Sequence, residues 1–512
     1  MSNARYDLCV IGAGPAGYAG AMRAHDLGKR VALVEAGKVG GAGVHRGALS
    51  SKTLWHLSND YVRSRRSDRG YLPGAGELVF DQVMRCVRDA TTERSSIFEY
   101  QLDALVRPSE TGAVVDLHRA RAVFTSPHTL ELTRADGTTY ELAADRFLIA
   151  TGSQPRQLPG VEVDGRRILT SDEIEELPDF PRSMVIVGAG VIGCEYATIF
   201  SNFGRTKISM IDRQPRILPF EDEDVAEVVA RNFEDSGIVI HRSSRLKELR
   251  PEGEGVTYVI ETGSGELETH HVDCALVSIG RIPNTATLRL DRAGVQLNAA
   301  GGIVTEGPSE PTSIRPGATV PPPISGSPYG ITRAKGAPHI HAAGDVTADV
   351  ALVNVAELEG RYAVESMFGE SPRAIPYESL SSIMFLQPEV ASCGLNELQA
   401  QARGIAYRVG VVSNQLVARN VAMRSTGGFV KLLADDTGHL LGLRVVGPQA
   451  SSTIQGVSFL MDLGATLDEI DRCVHPHPGV PEGVQECARL LLGRSVHKQE
   501  VLGGKLLRVS RG

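Results

Sequence analysis

Gly12, Gly14 and Gly17, followed by an acid at Glu35, are the first group in the chain whose types and spacing carry chemistry. A backbone bare at these three points can turn sharply, approach a pyrophosphate and pack a helix tightly against a strand. The start of that helix offers free N–H groups to the phosphates. Glu35, about 20 residues on, is a carboxylate able to hold the two hydroxyls of a ribose. The order returns roughly 175 residues later as Gly188, Gly190 and Gly193, ending on Asp212. Two such sites in one chain imply one dinucleotide that stays and one that comes and goes, the arrangement of a flavin fed by a nicotinamide. A carboxylate accepts from a 2′-hydroxyl and repels a 2′-phosphate, so Asp212 favours NADH over NADPH. Arg213 and Arg216 are the nearby charges that weigh against that choice.

The elements that must position these residues are legible around them. In YDLCVIGAGPAGYAGAMRAHDLGKRVALVEAG an apolar strand, Leu8 to Ile11, runs into the glycines; a helix follows, and a second strand, Val31 to Val34, ends on Glu35. SMVIVGAGVIGCEYATIFSNFGRTKISMID repeats that design. A chain of 512 residues, 42% hydrophobic and 22% charged, exceeds one core and is expected to form two to four packed domains. No apolar run approaches the roughly 20 residues that span a bilayer, and the start resembles no signal peptide, so a cytoplasmic protein is expected. The net charge of −8 disfavours nucleic acid as a partner. The single basic cluster, Arg63 to Arg66, reads as a solvated helix face. Seven cysteines are scattered without a CxxC or CxxxxC pair. They spell neither a disulfide framework nor a zinc site and read as small buried apolar residues.

Further motifs extend the pattern along the chain: ATGS (Ala150 to Ser153), GRIPNT (Gly280 to Thr285), AAGDVT (Ala342 to Thr347), AELEGR (Ala356 to Arg361), QPEVASCGL (Gln387 to Leu395) and HPHPGVPE (His475 to Glu482). With the two glycine fingerprints, they make a chain that resembles the pyridine nucleotide-disulfide oxidoreductase family, the relatives of dihydrolipoamide dehydrogenase, nearly from end to end. The resemblance implies an α/β fold with two Rossmann-like dinucleotide-binding domains, for FAD and NAD, and a C-terminal α+β dimerisation domain. The corresponding boundaries are 1–153 and 284–370 for the two parts of the FAD domain, 154–283 for the NAD domain and 371–512 for the dimerisation domain. A homodimer follows, each subunit completing its partner's active site.

The resemblance also implies roles. Asp345 binds the ribityl or phosphate region of FAD, and Val353 lies by the pyrimidine edge of the flavin. Gly41, Ala122, Thr151, Gly152 and Arg281 join the FAD contacts, and Gly280 joins those to NAD. Lys52 pairs with Glu195 beside flavin N5. A cation there favours negative charge on the reduced ring, and a buried lysine needs a carboxylate to stay charged. His477, oriented by Glu482, acts as acid–base from the partner subunit, while His475 is read as structural.

One stretch departs from that pattern. In GGAGVHRGALSSKTL, Gly43 and Ala48 stand where the family carries two cysteines. Neither residue has a thiol, so no disulfide can relay electrons at this site, and dithiol chemistry by the usual route is excluded. Cys194, Cys473 and Cys487 are not expected to stand in. The expectation is therefore direct electron transfer from flavin to a non-disulfide acceptor. A quinone is preferred, because His477 and Glu482 could supply the protons that a quinol needs. A soluble transhydrogenase, for which His45 is a weak indicator, is the first alternative, and a non-catalytic flavin-binding sensor or complex subunit is the second. A second departure is a proline- and glycine-rich insertion at about 305–338, expected to be a long loop.

Overall fold

A computed structural model describes residues 5–71, 77–306, 332–369 and 372–512. The central part of the proline-rich insertion lies outside the described residues. At its flanks, Thr305 bridges Ala334 and Arg333 bridges His341.

The first sheet grows from the apolar strand Tyr6–Ile11, whose inner positions are fully buried. Arg30–Glu35 and Thr139–Ile149 lie parallel on either side of it, with Leu8 opposite both Val31 and Arg146. Val114–Arg119 extends one edge. The hairpin strands Arg121–Ser126 and Thr129–Thr133 extend the other, and Ile340–Ala342 returns from much later in the chain to pair with Thr139–Ile149. Helix Pro15–Asp26 packs against helix Val353–Met367 through small residues. A Cβ on Gly360 would lie 2.0 Å from the carbonyl oxygen of Ala16, so the backbones touch only because that side chain is missing. This contact fixes where Val353 enters the site.

The second sheet repeats the first in all-parallel order: Val239–His241, Lys207–Ile211, Ser183–Val187, Cys274–Val277 and Ile168–Leu169. A three-stranded antiparallel sheet, Arg245–Glu252, Gly255–Glu261 and Leu267–Val272, covers it. The helix Val191–Phe203 is buried almost throughout. A two-stranded ribbon, Ser153–Pro155 with Arg281–Pro283, joins the two nucleotide folds and brings the ATGS and GRIPNT motifs side by side. The C-terminal part is a six-stranded antiparallel sheet in the order Ser381–Met384, Val390–Gly394, Leu440–Val446, Phe429–Ala434, Arg408–Ser413 and Leu507–Arg511. Helices Ala450–Asp462 and Glu482–Leu491 pack on it. This is the α/β architecture with a C-terminal α+β part that the motifs imply. The largest core cluster runs through the second nucleotide fold into the C-terminal sheet, and Trp55 joins it, donating from Nε1 to the carbonyl of Leu386 at 3.2 Å.

Two surface expectations need correction. Five cysteines are buried, but Cys86 and Cys473 are exposed, because they fall on solvent-facing positions of a helix and a loop. The basic cluster is only partly helical. The helix Ala48–Ser64 ends before Arg65, and Arg66 turns back to Asp68 in an ion pair of 2.6 Å. No described helix is long and apolar enough to cross a membrane.

Candidate active site

Both fingerprints are built the same way. At Gly12 the backbone is left-handed (φ +102°), and an added Cβ would lie 2.4 Å from the carbonyl oxygen of Ala150; a Cβ on Gly17 would lie 1.8 Å from that of Gly12. Gly188 has the same φ, with a Cβ 2.6 Å from the oxygen of Ser278, and one on Gly193 would lie 2.1 Å from that of Gly188. These four glycines are required by the protein itself. Gly14, Gly152, Gly190 and Gly280 are different: a Cβ on any of them would meet nothing within 4 Å. All four line one cleft; the backbone itself calls for glycine at Gly152 (φ +67°) and Gly280 (φ +104°), whereas the bareness of Gly14 and Gly190 leaves room for something the chain does not supply.

The two acids are also placed alike. Glu35 accepts from the N–H of Ala13 (2.7 Å) and of Gly37 (2.6 Å). Asp212 accepts from Ala189 (2.7 Å) and Gln214 (2.8 Å). Each carboxylate therefore ties its strand end to its glycine loop. Arg216 donates to the carbonyls of Pro219 and Glu221, at 3.3 and 3.2 Å, whereas Arg213 is exposed.

The cleft has a volume of about 2280 Å³, well beyond the ~300–1,000 Å³ of a site for one drug-sized ligand. Its walls include Gly12, Glu35, Gly41, Lys52, Ala122, Thr151, Arg281, Asp345 and Val353, and they continue to Gly190 and Glu195. Gly17, Gly188 and Gly193 stand behind it as supports, and Asp212, half-buried, lies outside its lining. Asp345 accepts from the Ser153 hydroxyl at 2.6 Å, and Arg281 donates to the same serine from Nε and Nη2, both at 2.8 Å. Thr151 and Asn284 exchange hydrogen bonds of 2.8 and 2.9 Å across the ribbon. The bare glycines, the acids and this size fit FAD with a nicotinamide nucleotide beside it.

Between the fingerprints, Lys52 and Glu195 meet, 143 residues apart in sequence. Nζ lies 2.8 Å from Oε2, Glu195 Oε1 accepts from the N–H of Phe385 at 3.0 Å, and the ammonium sits 5.2 Å from the Phe385 ring centroid. Glu195 is 5% exposed, so its charge is matched inside the protein.

Among the described residues no cysteine lines the cleft. A Cβ on Gly43 would lie 2.7 Å from Pro15 Cγ and 3.5 Å from Val353 Cγ2, so the short helix Gly41–Val44 has closed onto the space a side chain would need. Ala48 opens the helix that carries Lys52. Burial, then the charges of Asp212 and Glu195, pushes the Cys194 thiol well above its ordinary range, and burial does the same for Cys487. Neither forms a thiolate readily. His45 lines the cleft with Nε2 2.9 Å from the carbonyl oxygen of Val39.

Three further groups at the cleft escaped sequence reasoning. Asp172 lies 3.6 Å from both Arg46 and Arg281, and burial raises its carboxyl against the pull of those two cations. Glu175 is likewise raised by burial, with the Ser50 hydroxyl and His45 opposing. Phe385 arrives from the C-terminal part. All three depend on long-range contacts; no spacing in TSDEIEELP marks Asp172 or Glu175, and none in SSIMFLQPEV marks Phe385.

His477 and Glu482 form their pair, Nδ1 to Oε1 at 2.8 Å, but not at this cleft. The His477 side chain is 70% exposed. Burial pushes the Glu482 carboxyl up, but the Gly479 N–H and His477 outweigh it and hold the group below its usual range. His475 Nδ1 lies 3.2 Å from the carbonyl oxygen of Cys473.

Fold and site together define a flavoprotein with two dinucleotide folds served by one cleft. The chain belongs to the pyridine nucleotide-disulphide oxidoreductase family, whose sequence model matches residues 6–315, with the family's dimerisation domain at residues 380–488. It is 30% identical over 504 residues to dihydrolipoyl dehydrogenase of Bacillus subtilis, covering 96% of this chain and 99% of that protein. It is 31% identical over 490 residues to the Chlorobaculum tepidum enzyme of the same name, covering 95% and 97%. Among solved structures, LpdA from Mycobacterium tuberculosis superposes with a TM-score of 0.81 at 28% identity, covering 94% and 99%. These findings correct the expected acceptor. Relatives covering 96–97% of this chain are named dihydrolipoyl dehydrogenase, which overturns the assignment to a quinone reductase, a transhydrogenase or a sensor. That assignment took the loss of two thiols as a change of substrate, a step the residues alone do not warrant.

Proposed function

We propose that the chain is an FAD-dependent, NAD(H)-linked oxidoreductase of the dihydrolipoyl dehydrogenase type. It works as a homodimer, its second substrate is a dihydrolipoyl-like dithiol, and the flavin is the only redox centre at its site. The carrying observation is the Lys52–Glu195 pair, set in the cleft that both fingerprints share and that Gly43 also lines. When bound, FAD supplies a two-electron centre that exchanges hydride with a nicotinamide. Glu35 and the Gly12–Gly17 turn hold its adenosine and pyrophosphate, and Asp345 and Ser153 hold the chain beyond. Asp212 receives the adenosine ribose of the nicotinamide nucleotide. Its carboxylate, with Arg216 engaged by two backbone carbonyls, favours NADH over NADPH. Lys52 keeps a positive charge at the cleft, and Glu195 keeps Lys52 in place.

Oxidation of a dithiol by NAD⁺ gives a disulfide, NADH and one proton. Glu482 accepts from Nδ1 of His477 and so leaves Nε2 free to take that proton. The pair stands away from its own chain's cleft, so a second copy must present it.

Anaerobic titration with NADH tests the redox count: two electrons per FAD are expected, and uptake of four would mean that a cysteine pair operates after all. Steady-state assay with dihydrolipoamide and NAD⁺ tests the substrate. Flavin reduction by NADH without any dihydrolipoamide oxidation would overturn the dithiol assignment alone.

A further inference from the structure

Two cations of the C-terminal sheet are buried beneath the nucleotide fold. Lys431 and Arg444 face each other across adjacent strands and are 0% and 3% exposed. A buried ammonium must be matched by anions. Lys431 Nζ lies 2.9 Å from Asp222 Oδ2 and 2.9 Å from Asp224 Oδ1, and it also pairs with Glu397. Burial alone would lower the lysine, but Asp224 and Asp222 hold it above its ordinary value. These three acids also form the one group among the described residues whose spacing would suit a metal ion, and the lysine supplies the cation. Arg444 donates from Nε to Glu221 at 3.1 Å, and its Nη1 lies 3.1–3.2 Å from the carbonyls of Cys393, Gly394, Leu395 and Leu443.

Apart from Glu397, every acid in this arrangement belongs to Glu221–Asp224, where helix Glu223–Asp235 of the nucleotide fold begins. The same turn is gripped twice more by the C-terminal part. Asp222 Oδ1 accepts from the N–H groups of Glu397 and Leu398, and Asn396 Nδ2 donates to the carbonyl of Phe220. The far end of the turn reaches the fingerprint. Leu218, left-handed at φ +47°, donates to the carbonyl of Ala189 at 2.9 Å, and the N–H of Ala189 is the one that Asp212 holds. A non-glycine residue kept in that conformation is strained and persists only where its surroundings fix it. The Leu218 carbonyl accepts from the N–H of Glu221 at 3.0 Å, and Lys431 and Arg444 hold the acids from Glu221 to Asp224 from another domain.

We propose that Lys431 and Arg444 are positioning residues for NAD(H): through the turn from Leu218 to Asp224 they set the fingerprint loop at Ala189–Gly190 and the carboxylate of Asp212. The proposal rests on the reading that this fingerprint receives NAD(H). A clamp that only glued domains together would lower stability and leave nucleotide affinity alone.

The test uses the FAD-loaded full-length protein and two measurements: calorimetric binding of ADP-ribose, and the NADH concentration dependence of flavin reduction. Glu221→Gln keeps an acceptor for Arg444 but removes its charge. It should weaken ADP-ribose and half-saturating NADH by roughly three- to tenfold, the range typical of coupling through a packed network. The limiting rate of flavin reduction and the FAD content should stay within about twofold. Lys431→Met leaves Asp222 and Glu397 without their cation and Asp224 with Arg508 alone, and is expected to unfold. Lys431→Met combined with Asp222→Asn and Asp224→Asn restores the balance of charge and should show the same loss of affinity. Unchanged ADP-ribose binding in Glu221→Gln, with a lowered melting temperature, would overturn the proposal. Wild-type protein that binds no ADP-ribose would instead sink the assignment of the fingerprint.

Discussion

His341 offers a sharp physical test of how the FAD fold is assembled. It lies in the returning strand Ile340–Ala342, 5% exposed, with Nδ1 2.9 Å from the Thr332 hydroxyl. Burial, then the charges of Arg146 and Arg333, lowers the imidazole from 6.5 to about 3. The folded protein therefore keeps this group neutral where the unfolded chain protonates it. Stability from this residue is complete above pH 6.5 and falls as pH drops towards 3, because the unfolded state binds the extra proton. The gap corresponds to roughly 5 kcal/mol at ~1.36 kcal/mol per pH unit. The strand leads directly to Gly344, whose N–H donates to the buried Glu359 at 2.6 Å, so acid loosens the segment that carries Asp345. His341→Asn keeps an acceptor for Thr332 and cannot titrate. On unfolding in urea at pH 5, wild type should take up about one more proton than the variant, read with an indicator dye in weak buffer. Equal uptake would refute the reasoning, since His341 would then be charged already in the folded protein.

The glycines separate folding from binding. Gly17→Ala places a Cβ 1.8 Å from a carbonyl oxygen and should prevent folding, whereas Gly14→Ala, with nothing within 4 Å, should fold with a normal circular dichroism spectrum yet bind FAD at least tenfold more weakly in flavin fluorescence titrations. Asp212→Ala should weaken NADH binding by roughly 10- to 100-fold, the loss of charge-assisted hydrogen bonds worth ~1.5–3 kcal/mol, and spare NADPH; a wild type that prefers NADPH would show the acid misread. His477→Ala should slow dithiol oxidation by roughly 10²–10⁴-fold and leave flavin reduction by NADH unchanged in stopped flow. Mixing Lys52→Met with His477→Ala subunits should restore activity, because the mixed dimer holds one intact site; no recovery would mean that each site is built within one chain.

What could be read in the sequence was whatever is local. Each fingerprint needs its glycines within six residues and its acid at the end of the next strand, so the backbone demands at Gly12 and Gly17 are visible without any partner. Lys52 and Glu195 lie 143 residues apart and could be joined only by resemblance. The exposure of Cys86 and Cys473 was misjudged because burial is set by which helix face or loop meets the core, and a cysteine's identity does not fix that.

The buried clamp shows the limit most clearly. Lys431 and Arg444 sit in FVKLLA and LLGLRVV, near-continuous apolar runs interrupted by a single cation, the pattern of strands covered on both faces. Nothing within either strand says what answers the cation. The covering acids come from Glu221–Asp224, more than two hundred residues earlier, in a different fold. Burial makes each cation a charge that must be answered, and the answer falls on the turn that supports Ala189. Domain contact of this kind is where a chain can tune nucleotide binding without touching the nucleotide, and it leaves no local mark in the sequence.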